Sequence, residues 1–511
     1  MSRRATVRAG AFSLLGLVVT AAVGFLLSLI VARGLGAAGA GAFYQAVALG
    51  TLLLYLTVFG ADTGLLRGVA ARLATSRTAQ VAGQLRVGLL PPTAAATLAG
   101  AVLFAAAGPV AERLFDGVDD RASTGPALVR LVAVSLPFFV LGFTVLHGAV
   151  RGFGSLAPLV WTWQVGMALA RLAVVAVAAL GFGSLTWAVL GWAAPAVPVA
   201  LVALVALGRR LRAAERSAGV GRADRVAEPV AAREFWSFAA PRGAASLFEI
   251  GITWTDVLLL GLLRPSADVG VYAVLSRFVT TGTLAVQAGR TAISARLADA
   301  FARGDRSAVA ELYGTAGTLV TMLSWPIYLS LAVFARPLLE IFGPGFGRGA
   351  SALSIISVAA LYLTAFGNVS AVLLMGGRSR WTAVNTATAL VVNVGLNLVL
   401  IPTHGIVGAA VAWAAAMAVD TTMGWVQVRF LLGLRVARGP FLAVAGLALL
   451  VFGAGGLLVR HLVTGSPAEL GTLVLLGGFY LAALWPLRER LGLDEETAGS
   501  TRGHPPSGRA T

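Results

Sequence analysis

The stretch AGAFSLLGLVVTAAVGFLLSLIV, Ala9 to Val31, is apolar from end to end. A helix needs about 20 such residues to cross the hydrocarbon core of a bilayer. The pattern then repeats. With its last two residues included, this run is the first of fourteen candidate spans, at 9–33, 42–62, 84–107, 127–147, 156–180, 184–207, 236–262, 269–292, 309–334, 351–375, 381–402, 405–429, 439–459 and 469–487. Hydrophobic residues make up 58% of the 511 and charged residues 12%, with mean hydropathy +0.85. A soluble domain carries roughly 25% charge. In lipid only helices and closed barrels satisfy their own backbone. Barrel strands would read as alternating segments of about ten residues; these runs are twice as long and do not alternate. The expected fold is an all-α polytopic membrane bundle of about 14 helices.

The flanks of the first stretch set its fate and its direction. Met1–Arg8 is basic, but Ala9–Val31 exceeds the 7–15 residues of a signal-peptide core, so it reads as a retained first span. All 39 basic residues are arginine. With the N-terminus inside, 27 fall on the cytoplasmic side, seven outside and five within the membrane. Loops that stay inside keep their positive charge, so both termini are expected in the cytoplasm of a cell-membrane protein. The net charge of +17 therefore speaks for topology and contact with anionic lipid, not for nucleic acid. The clearest inside loop, Gly208–Arg233, holds seven arginines, and Glu112–Asp120 faces out.

Several chemistries are disfavoured. The chain has no cysteine, which removes disulfides and thiolate metal sites. His147, His404, His461 and His504 have no ligand spacing, and no metal site is expected. No phosphate-binding loop, serine-hydrolase elbow or zinc-protease motif occurs. No soluble stretch is long enough for a nucleotide-binding domain. The chain is not expected to be an enzyme or to need a resident cofactor.

The spans divide as six, six and two: an N-lobe at 1–208, a basic loop at 209–235, a C-lobe at 236–431, a helix pair at 432–487 and a disordered tail at 488–511. Weak internal similarity supports two repeats. Gly41-Ala-Phe-Tyr aligns with Gly270-Val-Tyr-Ala, and Arg151 in a glycine-rich turn aligns with Arg378, at nearly one offset. An offset of six helices keeps both copies in one orientation. Parallel repeats are related by an axis along the membrane normal and enclose a site between them.

The residues around the first turn carry a resemblance. Ala32-Arg-Gly-Leu-Gly-Ala-Ala-Gly-Ala-Gly-Ala-Phe-Tyr44, followed by Phe59-Gly-Ala-Asp-Thr-Gly-Leu-Leu-Arg67, resembles the start of Wzx-type polysaccharide transporters. These belong to the multidrug/oligosaccharidyl-lipid/polysaccharide exporter superfamily, which is similar to this chain over its whole length in helix plan. The resemblance implies a flippase for an undecaprenyl-pyrophosphate-linked oligosaccharide, serving cell-surface polysaccharide synthesis. It implies a positive cavity between two lobes that opens to each face in turn, with a polysaccharide polymerase and glycosyltransferases as working partners. Tyr272-Ala-Val-Leu-Ser-Arg277 also resembles the eighth span of lipid II flippases. The first span does not, because Ala21–Leu27 lacks the charges those relatives carry there.

Ionisable residues inside lipid usually face a bundle interior or a wet cavity. Arg242, Glu249 and Asp256 are spaced by seven, which returns to within about 20° on a helix, so the expectation is a polar stripe lining a lumen. Arg277 and Arg171 are the deep arginines; a guanidinium fork suits a pyrophosphate headgroup. Arg130 and Arg290 sit where snorkelling explains them. Asp62 suits either the capping of a helix end or pairing with Arg67. Asp420 suits either an arginine partner or a coupling proton, so that H+ or Na+ coupling is open. Asn385, Asn393 and Asn397 suit helix–helix hydrogen bonds or sugar hydroxyls. Trp236, Trp381 and Trp485 read as interfacial anchors. A cation-coupled multidrug antiporter would show acids in the N-lobe and few cavity arginines. A membrane-embedded glycosyltransferase or polymerase would show a large outward loop; the longest here is Gly108–Pro126.

Overall fold

The computed structural model describes residues 3–115, 121–221, 232–434, 439–463 and 466–487. Among them there is no strand. The helices are α1 (Arg3–Val58), α2 (Ala61–Ala74), α3 (Ala79–Ala105), α4 (Ala107–Leu114), α5 (Arg121–Phe143), α6 (Met167–Ala176), α7 (Leu185–Ala193) and α8 (Ala196–Ser217). A second set follows: α9 (Ala232–Leu263), α10 (Ser266–Ala302), α11 (Arg306–Val333), α12 (Ala335–Glu340), α13 (Ala350–Ala365), α14 (Val369–Met375) and α15 (Ser379–Val426). The chain ends in α16 (Gly439–Ala448), α17 (Gly455–Leu462) and α18 (Ser466–Leu484). The tail at 488–511, part of the basic loop and the side chain of Arg290 lie outside the described residues.

Eleven of the described helices are long and apolar enough to cross a membrane, against the fourteen expected. Glycine turns account for part of the difference. The helical run Gly16–Val58 is 43 residues and Ser379–Leu431 is 53, each twice what a bilayer needs. The first turns at Gly36 (φ 67°) and the second at Gly405 (φ 53°) beside Pro402. Both are left-handed conformations that a side chain would strain. α10, at 37 residues, is also of membrane length and contains the expected span at 269–292. Where a soluble protein would show charge, the surface is apolar: Val391, Val474, Leu475 and Leu481 are all exposed. Lipid is the solvent such a surface fits.

The first half, α1–α8, meets the second, α9–α15, along a seam with two close crossings. At one end α1 crosses α10. A Cβ on Gly41 would lie 3.0 Å from the Gly270 nitrogen, and one on Gly270 would lie 2.9 Å from the Gly41 nitrogen. Each would also fall within 3 Å of a carbonyl oxygen, of Ser266 and Ala37 respectively. These are the two glycines that align in the internal repeat; residues beside a pseudo-twofold axis meet their own mates. At the other end Gly60 (φ 75°) sits against Ala239 and Gly243 of α9, again closer than a Cβ would allow. The seam is closed at both ends. The final helices pack on α11: Trp325 meets Phe441 at 6.0 Å, the Tyr480 hydroxyl donates to the Met322 carbonyl at 3.1 Å, and Arg460 donates to the Val333 carbonyl at 3.2 Å.

Candidate functional site

Between the two closed ends the seam is polar. α9 contributes the seven-spaced set, and the structure divides it. Arg242 and Glu249 are exposed, whereas Asp256 is 1% exposed. Arg242 lies within electrostatic reach of Asp62, at the start of α2. Glu249 lies within reach of Tyr55 on α1 and of Asp420 on α15. Residues of both halves therefore face one another across this gap. Asp62 does not pair with Arg67: the Arg67 guanidinium rests over the Phe238 ring at 4.2 Å, and the Asp62 carboxylate accepts from the Thr63 hydroxyl at 3.3 Å. Nor does Asp62 cap α2, whose cap position is Gly60. Asp420 accepts from Thr386 at 3.4 Å and has no arginine partner among the described residues.

Asp256 belongs to a different environment, inside the second half. The Tyr272 hydroxyl donates to its Oδ2 at 2.6 Å, and Asn397 Nδ2 donates to its Oδ1 at 2.7 Å. Asn393, one turn before Asn397 on α15, adjoins the same carboxylate. Its Nδ2 faces the carboxylate, and the side-chain oxygens of Asn393 and Asn397 are buried beside it. One carboxylate with amide oxygens is a hard-oxygen donor set suited to a small cation or a proton. Among the described residues no cluster of three His, Asp or Glu forms a conventional metal site. Asn385 instead exchanges hydrogen bonds of 2.9 and 2.8 Å with Gln427, a structural role.

The two deep arginines are not brought together. Arg277, on α10, lies in the seam: its guanidinium stands 5.2 Å over Tyr44 of α1 and 5.0 Å over Trp254 of α9. Tyr44 is held in turn by Ser28 at 2.5 Å. Arg171 sits inside the first half. Its Nε donates to the Trp192 carbonyl at 2.9 Å, and its guanidinium stacks on Trp192 at 4.6 Å and Phe139 at 5.1 Å. Aromatic faces and a carbonyl shelter that charge within one lobe. Arg130 packs over Phe104 at 5.4 Å, and of the tryptophans Trp381 underlies Arg378 at 5.0 Å while Trp485 is exposed.

Sequence reasoning did not single out Gln45. It is fully buried, donates to the Leu114 carbonyl at 2.5 Å and accepts from the Ser266 hydroxyl at 3.1 Å. Gly261 leaves the room for it. It clasps the two halves beside the Gly41–Gly270 crossing. Its signal was present: a lone amide directly after the Gly-Ala-Phe-Tyr motif, in an apolar run.

Residues 7–293 match the model of a family described as polysaccharide biosynthesis protein. The chain belongs to the polysaccharide biosynthesis protein family. The match takes in both crossings and the Arg277 cradle. Residues 241–399 also match the MatE family model. Over 200 residues the chain is 27% identical to a probable low-salt glycan biosynthesis flippase, Agl15, of Haloferax volcanii. That alignment spans 38% of this chain and 41% of the relative, under half of its length. In fold, this family member is similar to the lipid II flippase MurJ in an inward closed conformation, with TM-score 0.70 and 11% identity over 94% of this chain and 99% of that one. It is also similar to an inward-facing multidrug resistance MATE transporter of the MOP superfamily, with TM-score 0.66 and 14% identity over 81% and 94%. The helical, polytopic transporter fold expected from the sequence is the fold observed.

Proposed function

We propose that the protein is a flippase for a lipid-linked oligosaccharide, moving its headgroup through the seam by alternating access of the two halves. The observation that carries this reading is Arg277, held by rings from both halves at the seam. A cation–π cradle holds the guanidinium at the seam, and the planar fork of a guanidinium matches a pyrophosphate. When the halves part, Tyr44 leaves with one and Trp254 with the other. The family match and the glycan-flippase relative support the substrate class. Arg171, sheltered within one half, takes no part in headgroup binding.

The arginine distribution supports a cell-membrane protein with both termini in the cytoplasm, which makes the Gly41–Gly270 crossing the outer gate and Gly60–Gly243 the inner one. A coupling cation, H+ or Na+, would occupy the Asp256, Asn393 and Asn397 cluster; the buried carboxylate with amide groups beside it supports this. Partners supplying and consuming the glycan would be glycosyltransferases and a polymerase. The test is headgroup accessibility of labelled lipid-linked sugar in reconstituted vesicles. Arg277→Ala should lower the rate tenfold or more, since a charged hydrogen bond is worth about 1.5–3 kcal/mol, and Arg277→Lys should recover part. Wild-type rates in Arg277→Ala at equal protein level remove the residue from the mechanism. The MatE match favours a second reading, a cation-coupled antiporter of small molecules; dye efflux without sugar translocation would establish it instead.

A further inference from the structure

α15 has a second functional face. From Asp420, which looks toward the seam, Thr422 and Trp425 lie about 200° and 140° round the axis at 100° per residue. They therefore point away from the transport path. On that side a cavity of about 740 Å³ opens between α11, α13, α15 and α16. That is the size of a small-molecule site. Its walls include Gly317 of α11, Tyr362 and Phe366 at the end of α13, and Thr422, Trp425 and Arg429.

The walls carry a specific chemistry. The rings form a continuous slot, with Tyr362 and Phe366 centroids 4.9 Å apart and Phe366 and Trp425 5.5 Å apart. The Tyr362 and Thr422 hydroxyls meet at 2.8 Å within it. Arg429 stands at one end, on a π-helical turn (Gln427–Leu431), over the Phe430 ring at 5.6 Å. Arg429 has no carboxylate partner among the described residues. The slot is empty of protein because α11 presents glycine there: a Cβ on Gly317 would meet only the Gly367 Cα, at 3.6 Å. Phe441 of α16 forms the far wall and packs on Trp325 of α11, so an occupant would join the C-terminal helices to the second half.

We propose that this cavity binds an anionic phospholipid of the inner leaflet, with the phosphate on Arg429 and one acyl chain in the aromatic slot. The depth rests on the topology proposed above, which puts the Arg429 end of α15 at the cytoplasmic headgroup layer. An uncompensated arginine between helices at that layer recruits anionic headgroups, and its fork fits a phosphate. The lipid is a structural ligand, separate from the transported one: the α15 backbone divides the two sites.

The experiment uses the full-length protein, extracted in detergent from membranes and reconstituted with phosphatidylcholine, with or without phosphatidylglycerol. Native mass spectrometry reads retained lipid, and thermal melting reads stabilisation. Wild type should retain phosphatidylglycerol in preference to phosphatidylcholine and melt higher when it is present. Arg429→Gln should weaken that preference about tenfold, and Arg429→Lys should recover part of it. Gly317→Leu should fill the slot and abolish retention while melting normally in phosphatidylcholine alone. Equal retention in wild type and both loss variants overturns the proposal. So does displacement of the phosphatidylglycerol by undecaprenyl phosphate, which would make the cavity a site for the carrier lipid. Neither readout involves transport, so failure of the flippase reading would leave this result standing, and the reverse.

Discussion

Gly270→Ala should hold the outer gate open. A Cβ there would lie 2.9 Å from the Gly41 nitrogen and nearer still to the Ala37 carbonyl oxygen. Both neighbours are backbone, so no side chain can swing aside. The overlap is relieved only by moving α10 off α1. Overpacking of this kind costs about 1–3 kcal/mol, and here the cost falls on the closed state alone. The closed-to-open ratio should drop about five- to 150-fold. Helix propensity works in both states: alanine favours a helix over glycine by about 0.8–1 kcal/mol, so a weakened helix cannot produce the effect. The chain has no native cysteine, which makes a single reporter clean. Ser28→Cys is suitable, because Ser28 is fully buried and bonded to Tyr44 beneath the crossing. A membrane-impermeant maleimide added outside should label Ser28→Cys slowly, and faster by at least fivefold once Gly270→Ala or Gly41→Ala is added. Gly108→Ala, whose Cβ would meet open space, should change nothing. Unchanged labelling in Gly270→Ala at equal protein level would refute the gate. Labelling only from the cytoplasmic side would reverse the proposed orientation.

Asp256→Asn should remove any Na+ or pH dependence of transport while leaving headgroup binding intact; retained ion dependence would exclude the cluster as the coupling site. Arg171→Met should lower the melting temperature, by the loss of a charged hydrogen bond worth about 1.5–3 kcal/mol, without changing transport per folded molecule. Asp305 caps α11, accepting from the Ala308 nitrogen at 3.0 Å, and chiefly this hydrogen bond holds its carboxyl below the ordinary range. Its stabilisation is therefore complete above the ordinary carboxylate value and lost as pH falls through the lower folded value. Asp305→Asn should flatten that acid limb of a melting-against-pH curve, and an identical curve would exclude the role.

The fold was legible because bilayer thickness imposes one length on every span, and that length survives in hydropathy alone. The breaks were legible too: the expected spans part at 33/42 and at 402/405, where the chain turns at Gly36 and Gly405, and the span at 269–292 lies within α10. The stripe on α9 was legible as a spacing but not as a site. A seven-residue repeat drifts about 20° on a straight helix. More important, the neighbours of α9 change along its length. Near Arg242 and Glu249 it faces the other half, and at Asp256 it is packed against Tyr272 and Asn397. Arg171 and Arg277 look alike in sequence because a lobe interior and a seam both shelter a guanidinium on aromatic rings. Which rings, and from which half, is decided by tertiary packing.

The composition of the seam bears on how it can switch. At the end proposed as outer, side-chain bonds that cross it among the described residues include Ser266 to Gln45 at 3.1 Å and Arg33 to the Ile341 carbonyl at 3.0 Å. At the inner end aromatic contacts cross it, Arg67 over Phe238 at 4.2 Å and Phe59 against Trp236 at 6.4 Å. The neutral bond at the outer end is worth about 0.5–1.5 kcal/mol net and the one from the Arg33 guanidinium about 1.5–3, so breaking these bonds costs a few kcal/mol. A ligand shifts such an equilibrium only by its difference in affinity between the two states. A headgroup engaging Arg277, as proposed, would supply a difference of that order. Both crossings are glycine backbone packed on backbone, a contact that is lost over a fraction of an ångström. Each gate is therefore either shut or open, and the weak bonds around it set the balance between the two.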